Sequence, residues 1–304
     1  MLNFFAILSF IWCGVVRCQE GTIVAFGDWG FLNRIYQIEQ LNIFLTDNIR
    51  SGDGKNIVCL LGDNFYPYGI DPLLGYNDPH FELFSKVLAK DLNTTFLATI
   101  GNHDYIMADG VHYQIDYTNV DRRWLMGGRL LALGSRPVGT PPVRPVCFWQ
   151  IDSVRIEQSN IDYLDEHIPD RTCTFRVIIS HYPVFTFGQY QEDGPVNKFQ
   201  SLILPILHKH KIHLFLSGHE HNAQLISHPS LATKFVIAGS PIDVRPGFIR
   251  RDVTFDAKRN TTLEWFHDSN AGIVSRIKYN TTTLQVDFVD IWTQTVLTTT
   301  IVDA

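Results

Sequence analysis

Five short motifs along this chain carry Asp, Tyr, Asn and His side chains of the kinds that bind metal ions. They are Gly27-Asp28-Trp29-Gly30, Gly62-Asp63-Asn64-Phe65-Tyr66, Gly101-Asn102-His103-Asp104, His181-Tyr182-Pro183 and Gly218-His219-Glu220-His221. Asp28, Asp63, Tyr66, Asn102, His181, His219 and His221 offer hard oxygens and imidazoles, enough donors for two ions. Cysteine takes no part, which argues against a zinc–thiolate structural site. A free phenol ionises near pH ~10, so Tyr66 ligates well only beside a strong Lewis acid such as a trivalent ion. The carboxylates of Asp28 and Asp63 suit the same hard ion. Imidazoles and a neutral amide suit a softer divalent neighbour.

The elements that must position these residues are legible as strands. Runs 22–26, 56–61, 96–100, 175–180 and 212–217 are nearly continuous in apolar residues and directly precede the five motifs. Such runs are expected of strands buried on both faces. Four of them are followed directly by glycine and the fourth run ends in Ser180, small residues where the backbone can turn sharply. Polar residues at the carboxyl ends of buried strands converge on the crevice where open α/β sheets bind ligands.

These motifs resemble the calcineurin-like metallophosphoesterases and, within them, the small tartrate-resistant type of purple acid phosphatase. The resemblance runs from about residue 22 to 245, and Tyr66, three residues after Asp63, is its most discriminating position. It implies an α/β fold: a four-layer metallophosphoesterase sandwich, two packed mixed β-sheets flanked by helices. It also implies a mixed-valence pair, with Asp28, Tyr66 and His221 on Fe(III) and Asn102, His181 and His219 on a divalent ion (Fe, Zn or Mn). Asp63 would bridge the two ions. The implied reaction is hydrolysis of phosphate monoesters by in-line attack of a metal-bound hydroxide, since two ions about 3.5–4 Å apart both clamp the ester and activate water. Water on Fe(III) should ionise below the ~7 typical of zinc-bound water, so an acidic optimum is expected.

His103 follows the ligand Asn102 and is left to face the substrate space, where it would protonate the leaving alkoxide. Asp104 either orients that imidazole or caps the following segment. Small purple acid phosphatases carry a second active-site histidine a few residues beyond His-Tyr-Pro. Here 184–191 has none, and Tyr190 falls about where it would stand. Tyr190 either donates a hydrogen bond to a phosphate oxygen or packs in its loop. Substrate binding is thus expected at Asn102, His103 and Tyr190.

The chain has 304 residues, a net charge of −6 and near-zero mean hydropathy. That suits one large α/β domain with an ample core and argues against a nucleic-acid partner. Arg122-Arg123 and Arg250-Arg251 read as solvated pairs, with contact to an anionic substrate as the alternative. Residues 1–18 read as a secretory signal peptide, leaving 19–304 as one domain, and an uncleaved anchor is the alternative. No stable membrane anchor is expected, and the protein is read as a monomer. Sequons at Asn93, Asn260 and Asn280 fit a secreted or endolysosomal lumen. Beyond the signal remain Cys59, read as a buried small hydrophobe, and Cys147 and Cys173, candidates for one disulfide.

Helical periodicity covers 34–49 and, more briefly, 81–88. Ser159 and Asp162 resemble a capping box. The stretch 199–211 is periodic, with Pro205 expected to kink it. His208, His210 and His213 raise a second metal site, against which stands a solvated helix end. Residues 126–145 read as a Gly/Pro-rich surface loop near the active site, and 273–291 as antiparallel strands. The leading reading is an acid phosphatase acting on small phosphomonoesters or phosphoproteins. Two others compete: a phosphodiesterase or nucleotide hydrolase of the same superfamily, and a non-catalytic iron-binding or anchoring protein on this scaffold.

Overall fold

The computed structural model describes residues 20–49, 56–126, 133–138, 144–169, 173–247, 253–269 and 271–304. The expected signal segment and Arg250-Arg251 lie outside them. The chain begins β1 (Gly21–Phe26), α1 (Ile35–Asn48), β2 (Ile57–Leu60), α2 (Pro79–Glu82), β3 (Thr95–Ala98), α3 (Val111–Asp116) and β4 (Trp124–Met126). It continues β5 (Leu133–Val138), β6 (Arg144–Gln150), α4 (Gln158–His167), β7 (Cys173–Ile179), α5 (Gly194–Lys209), β8 (Leu214–Ser217), β9 (Ala223–Ser227) and β10 (Lys234–Ala238). It closes with β11 (Phe255–Asp256), β12 (Thr261–His267), β13 (Ile273–Tyr279), β14 (Thr283–Asp290) and β15 (Val296–Asp303).

Two mixed sheets result. One has seven strands in the order β15-β14-β13-β1-β2-β3-β4, and the other eight in the order β11-β12-β9-β10-β8-β7-β6-β5. In the first, β1 to β4 are parallel and β13 to β15 antiparallel. Ile23, Ala25, Cys59 and Leu97 face Phe148, Val177, Ile179, Leu214 and Leu216 in a core between the sheets. The alternate residues Val24, Phe26, Val58 and Leu60 pack outward against α1 and the 79–88 helical segment. Ile178 and Phe215 pack outward against α4 and α5. Both faces of the central strands are therefore buried, which is why their sequences read as unbroken apolar runs. The family's four-layer α/β sandwich is the architecture observed.

Several sequence expectations are corrected. Residues 126–145 are not one irregular loop. Residues 133–138 form β5, which pairs antiparallel with β6 at the sheet edge, while 127–132 and 139–143 lie outside the described residues. The helix near 159 opens two residues earlier than its Ser159/Asp162 pattern suggests. Glu157 and Asn160 form the reciprocal cap instead, with Glu157 N–H on Asn160 Oδ1 at 2.9 Å. Helix α5 begins five residues before the periodic stretch, capped by Asp193, and carries Pro205 inside it. Arg123 is not a solvated cation: its guanidinium is bound by Asp121 at 2.6 Å and donates to Leu92 O at 3.1 Å.

Candidate metal centre

Every expected ligand sits just beyond the carboxyl end of a parallel strand. Register aligns Phe26, Leu60 and Ala98 across β1, β2 and β3, so Asp28, Asp63 and Asn102 emerge along one edge. The second sheet aligns Ile179 of β7 with Leu216 of β8, bringing His181, His219 and His221 to the same crevice. The backbone turns hard there. Asp28, Asp63 and His219 adopt φ of 55°, 50° and 70°, a left-handed conformation costing on the order of 1–3 kcal/mol per residue. Strain at three expected ligands, each after a glycine, marks a site whose surroundings over-determine it. Gly62 itself has φ +85°, and a Cβ there would meet the His181 ring at 2.6–2.7 Å.

The donor atoms converge. The Tyr66 hydroxyl lies 2.9 Å from Asp28 Oδ1, 2.8 Å from Asp63 Oδ2 and 3.0 Å from His221 Nε2. His181 Nε2 lies 3.0 Å from Asn102 Oδ1 and 3.5 Å from Asp63 Oδ1. Single donor atoms of Asp28, Asp63 and His181 all fall within 4.8 Å of one another. His219 donates its backbone N–H to Asp28 Oδ2 at 2.9 Å, and its buried Nε2 has no hydrogen-bond partner among the described residues.

The polar arrangement in this crevice suits bound cations. His181 Nδ1 stands 2.8 Å from Leu61 O and His221 Nδ1 2.7 Å from Asp243 O. Carbonyls only accept, so both rings spend their N–H there. A neutral ring then turns the Nε2 lone pair to the centre, as in metal-bound histidines whose other N–H is held by a carbonyl. The single Tyr66 proton cannot satisfy Asp28, Asp63 and His221 together. Burial raises the Asp28 pKa against the lowering effect of His221 and His181. Burial, then the charges of Asp28 and Asp63, hold the Tyr66 phenol well above its ordinary value. Burial and the neighbouring His181 keep His219 neutral. Positive charge among these groups reverses the first two penalties and uses the orphaned lone pairs. The seven residues therefore fit two bound metals by count, donor type and direction.

His103 stands beside this cluster. Its side chain is 30 % exposed, Nε2 lies 4.0 Å from Asp63 Oδ2, and its ring centroid is 4.5 Å from that of Tyr66. The contact that orients the ring is Nδ1 on Pro67 O at 2.7 Å. Asp104 does not fill that place. Its carboxylate accepts from the backbone N–H groups of Gly101 (2.8 Å), Asn64 (3.0 Å) and Phe65 (3.1 Å). Buried, and raised to about 6 by burial and then by the Asp63 charge, it ties the second motif to the third. Its role is positioning, closer to the capping alternative than to a catalytic one. Tyr190 reaches the site: its ring stacks on His219 with centroids 4.0 Å apart.

Residues in and around the motifs that sequence reasoning left unassigned are scaffolding. Trp29 Nε1 donates to Asn64 Oδ1 at 3.3 Å, and Phe31 stacks on Tyr66 at 3.9 Å. His80 Nε2 reaches Tyr66 O at 2.8 Å and its Nδ1 meets Asp78 at 2.6 Å. Asp243, the partner of His221, lies 22 residues further on and outside every motif, so nothing local signals it. The other three histidines do not converge. His210 pairs with Asp165 at 2.6 Å, His213 accepts from Arg176 N–H at 3.0 Å, and His208 is exposed. Cys147 and Cys173 are bonded across β6 and β7, with Cα atoms 5.8 Å apart, and Cys59 is free and buried. Asn93 and Asn260 are exposed and Asn280 is half-buried. Among the described residues no helix is long and apolar enough to cross a membrane.

The calcineurin-like phosphoesterase family model matches residues 21–223, and the chain belongs to that family. Within it, the curated relatives are purple and tartrate-resistant acid phosphatases. The chain is 26 % identical over 243 residues to tartrate-resistant acid phosphatase type 5 of Oryctolagus cuniculus, covering 71 % of each chain. It is 28 % identical over 253 residues to purple acid phosphatase 7 of Arabidopsis thaliana, covering 74 % of this chain and 72 % of that one. Its fold matches GAP50, the anchor in the inner membrane complex of Plasmodium, with TM-score 0.72 and 15 % identity over 94 % of this chain and 89 % of that one. It also matches a purple acid phosphatase from yellow lupin seeds with TM-score 0.64 and 13 % identity, over 93 % of this chain and 53 % of that one.

Proposed function

We propose that this phosphoesterase is an acid phosphatase acting on phosphate monoesters with a dinuclear Fe(III)–M(II) centre. One observation carries the reading: the Tyr66 hydroxyl meets Asp28, Asp63 and His221 within 2.8–3.0 Å. A buried phenol among two carboxylates is costly unless a strong Lewis acid takes its proton's place. Asp28, Tyr66 and His221 would hold the ferric ion, Asn102, His181 and His219 the divalent one, and Asp63 both. Bound there, the ions supply Lewis acidity toward the ester oxygens and lower the pKa of water at the site.

The chain's own residues do the rest. Leu61 O and Asp243 O fix the rings of His181 and His221, and Asp104 holds the loops that carry Asp63 and Asn102. His103, kept in place by Pro67 O and partly exposed, presents Nε2 to the substrate side and gives its proton to the departing alkoxide. Tyr190, stacked on His219 with centroids 4.0 Å apart, stands beside the divalent-ion ligands and offers its hydroxyl to a phosphate oxygen.

The test is the visible spectrum of the purified, oxidised protein beside Tyr66→Phe, with turnover of monoester and diester model substrates. A charge-transfer band lost in Tyr66→Phe, with preferred monoester turnover at acid pH, is expected. Two bound metals without a band would reassign the centre as all-divalent and favour the diester reading. A band without turnover would favour a binding or anchoring role.

A further inference from the structure

Asp243 is the hub of a charged cluster beside the candidate metal centre. Its Oδ2 lies 3.2 Å from His221 Nδ1 and accepts from Arg245 Nη2 at 2.6 Å and Nε at 2.9 Å. Arg34 Nη2 stands 3.8 Å from the other oxygen. One carboxylate thus serves two guanidinium groups, and the cluster keeps net positive charge.

Arg245 is placed beside the reacting region by its own backbone. Its N–H donates to His221 O at 2.7 Å. Two contacts, 2.6 and 3.2 Å, then link its guanidinium through Asp243 to the His221 ring. Nη1 makes no hydrogen bond within the described residues, and the side chain is 44 % exposed. The fork is therefore gripped on one edge and open on the other, the arrangement that suits planar recognition of an oxyanion.

We propose that Arg245 is a substrate-binding residue whose open guanidinium edge takes a phosphate oxygen of the ester, with Asp243 holding the fork in position. The ligand class is a phosphate dianion. A fixed cation at the rim draws such an anion to a centre whose own side chains bring Asp28 and Asp63. Because arginine does not titrate in this range, it contributes at every pH at which the enzyme works. The inference rests on the phosphomonoesterase reading, and the following experiment separates the two.

Inorganic phosphate binding to the metal-loaded protein is measured by calorimetry for wild type, Arg245→Gln and Arg245→Lys, alongside metal content and p-nitrophenyl phosphate turnover. In Arg245→Gln the phosphate Kd should rise about 10- to 100-fold, the size of one charge-assisted hydrogen bond. Metal content and the visible band should not change, and Arg245→Lys should recover part of the affinity. Unchanged phosphate affinity in the fully metallated Gln variant overturns the proposal. So does metal loss in Gln with unchanged phosphate affinity in a metallated Lys variant, which would leave Arg245 only as a brace for Asp243. Arg245-dependent phosphate binding without turnover sinks the acid phosphatase reading and leaves this inference standing. Turnover with Arg245-independent phosphate binding does the reverse.

Discussion

The two flanks of the crevice are built differently. The seven-stranded sheet contributes Asp28, Asp63, Tyr66 and Asn102, all oxygen donors from three adjacent parallel strands. The eight-stranded sheet contributes only imidazoles: His181, His219 and His221. The oxygen flank is held by its own motifs and their immediate neighbour, through Asp104 on the Gly101, Asn64 and Phe65 amides and Phe31 on Tyr66. The imidazole flank is held by distant backbone: Leu61 O for His181 and Asp243 O for His221. The first flank is thus pre-arranged by local sequence. The second is aimed by the meeting of the two sheets. In the proposed centre each ion draws on both flanks, and only Asp63 serves the two.

Removing one member from each flank should break that comparison most strongly. Asp28→Ala and His219→Ala are each expected to lower turnover by about 10³-fold or more, since a bound ion supplies several kcal/mol of transition-state stabilisation. Their spectra should differ. Asp28→Ala loses the visible band with the ferric ion, whereas His219→Ala keeps the band and loses divalent metal by elemental analysis. If both variants lose both ions together, the flanks act as one indivisible site.

The seam itself can be strained. Gly62→Ala places a methyl group 2.6–2.7 Å from the His181 ring at a φ of +85°. A destabilisation of about 1–3 kcal/mol is expected, read from the midpoint of chemical unfolding. Divalent metal should be lost before ferric, because His181 moves and Tyr66 does not. A neutral outcome in both measurements would show that the two sheets can part slightly without cost.

The smallest effect lies away from the centre, and it sharpens the contrast between a histidine that binds metal and one that packs. Burial, then Lys211 and Arg176, lower the pKa of His213 to about 4, against an ordinary 6.5. The folded state therefore holds it neutral. Its contribution is present above about pH 6.5 and lost as pH falls toward 4. The thermal midpoint should drop from pH 7 to 4.5, and His213→Gln should flatten that slope by about 2–4 °C. An identical slope in the variant would mean that His213 does not control it.

Much of the site was legible in one dimension. Strands buried on both faces must be continuous apolar runs, and a ligand loop at a strand end must start with a residue that tolerates a sharp turn. Those two needs write Gly27-Asp28, Gly62-Asp63, Gly101-Asn102 and Gly218-His219 into the sequence, and Tyr66 distinguishes the set within its family. The cap near Ser159 and the 126–145 stretch are not legible in the same way, because short polar and Gly/Pro-rich stretches fit several local structures. Pairing with a sheet edge, and the Glu157–Asn160 reciprocal bond, decided between them.

The sequence by itself therefore determined which side chains can serve as ligands and that they share one edge of an α/β fold, because strand burial and turn chemistry are local. Only the tertiary structure decided how those ligands are aimed. It gave Asp104 to backbone amides, not to His103, and Pro67 O to the His103 ring. It stacked Tyr190 on His219 and put Asp243 and Arg245 beside His221. Each of these contacts joins loops whose separation along the chain carries no pattern, and their partners are largely backbone carbonyls and amides, which every residue possesses and no sequence can distinguish.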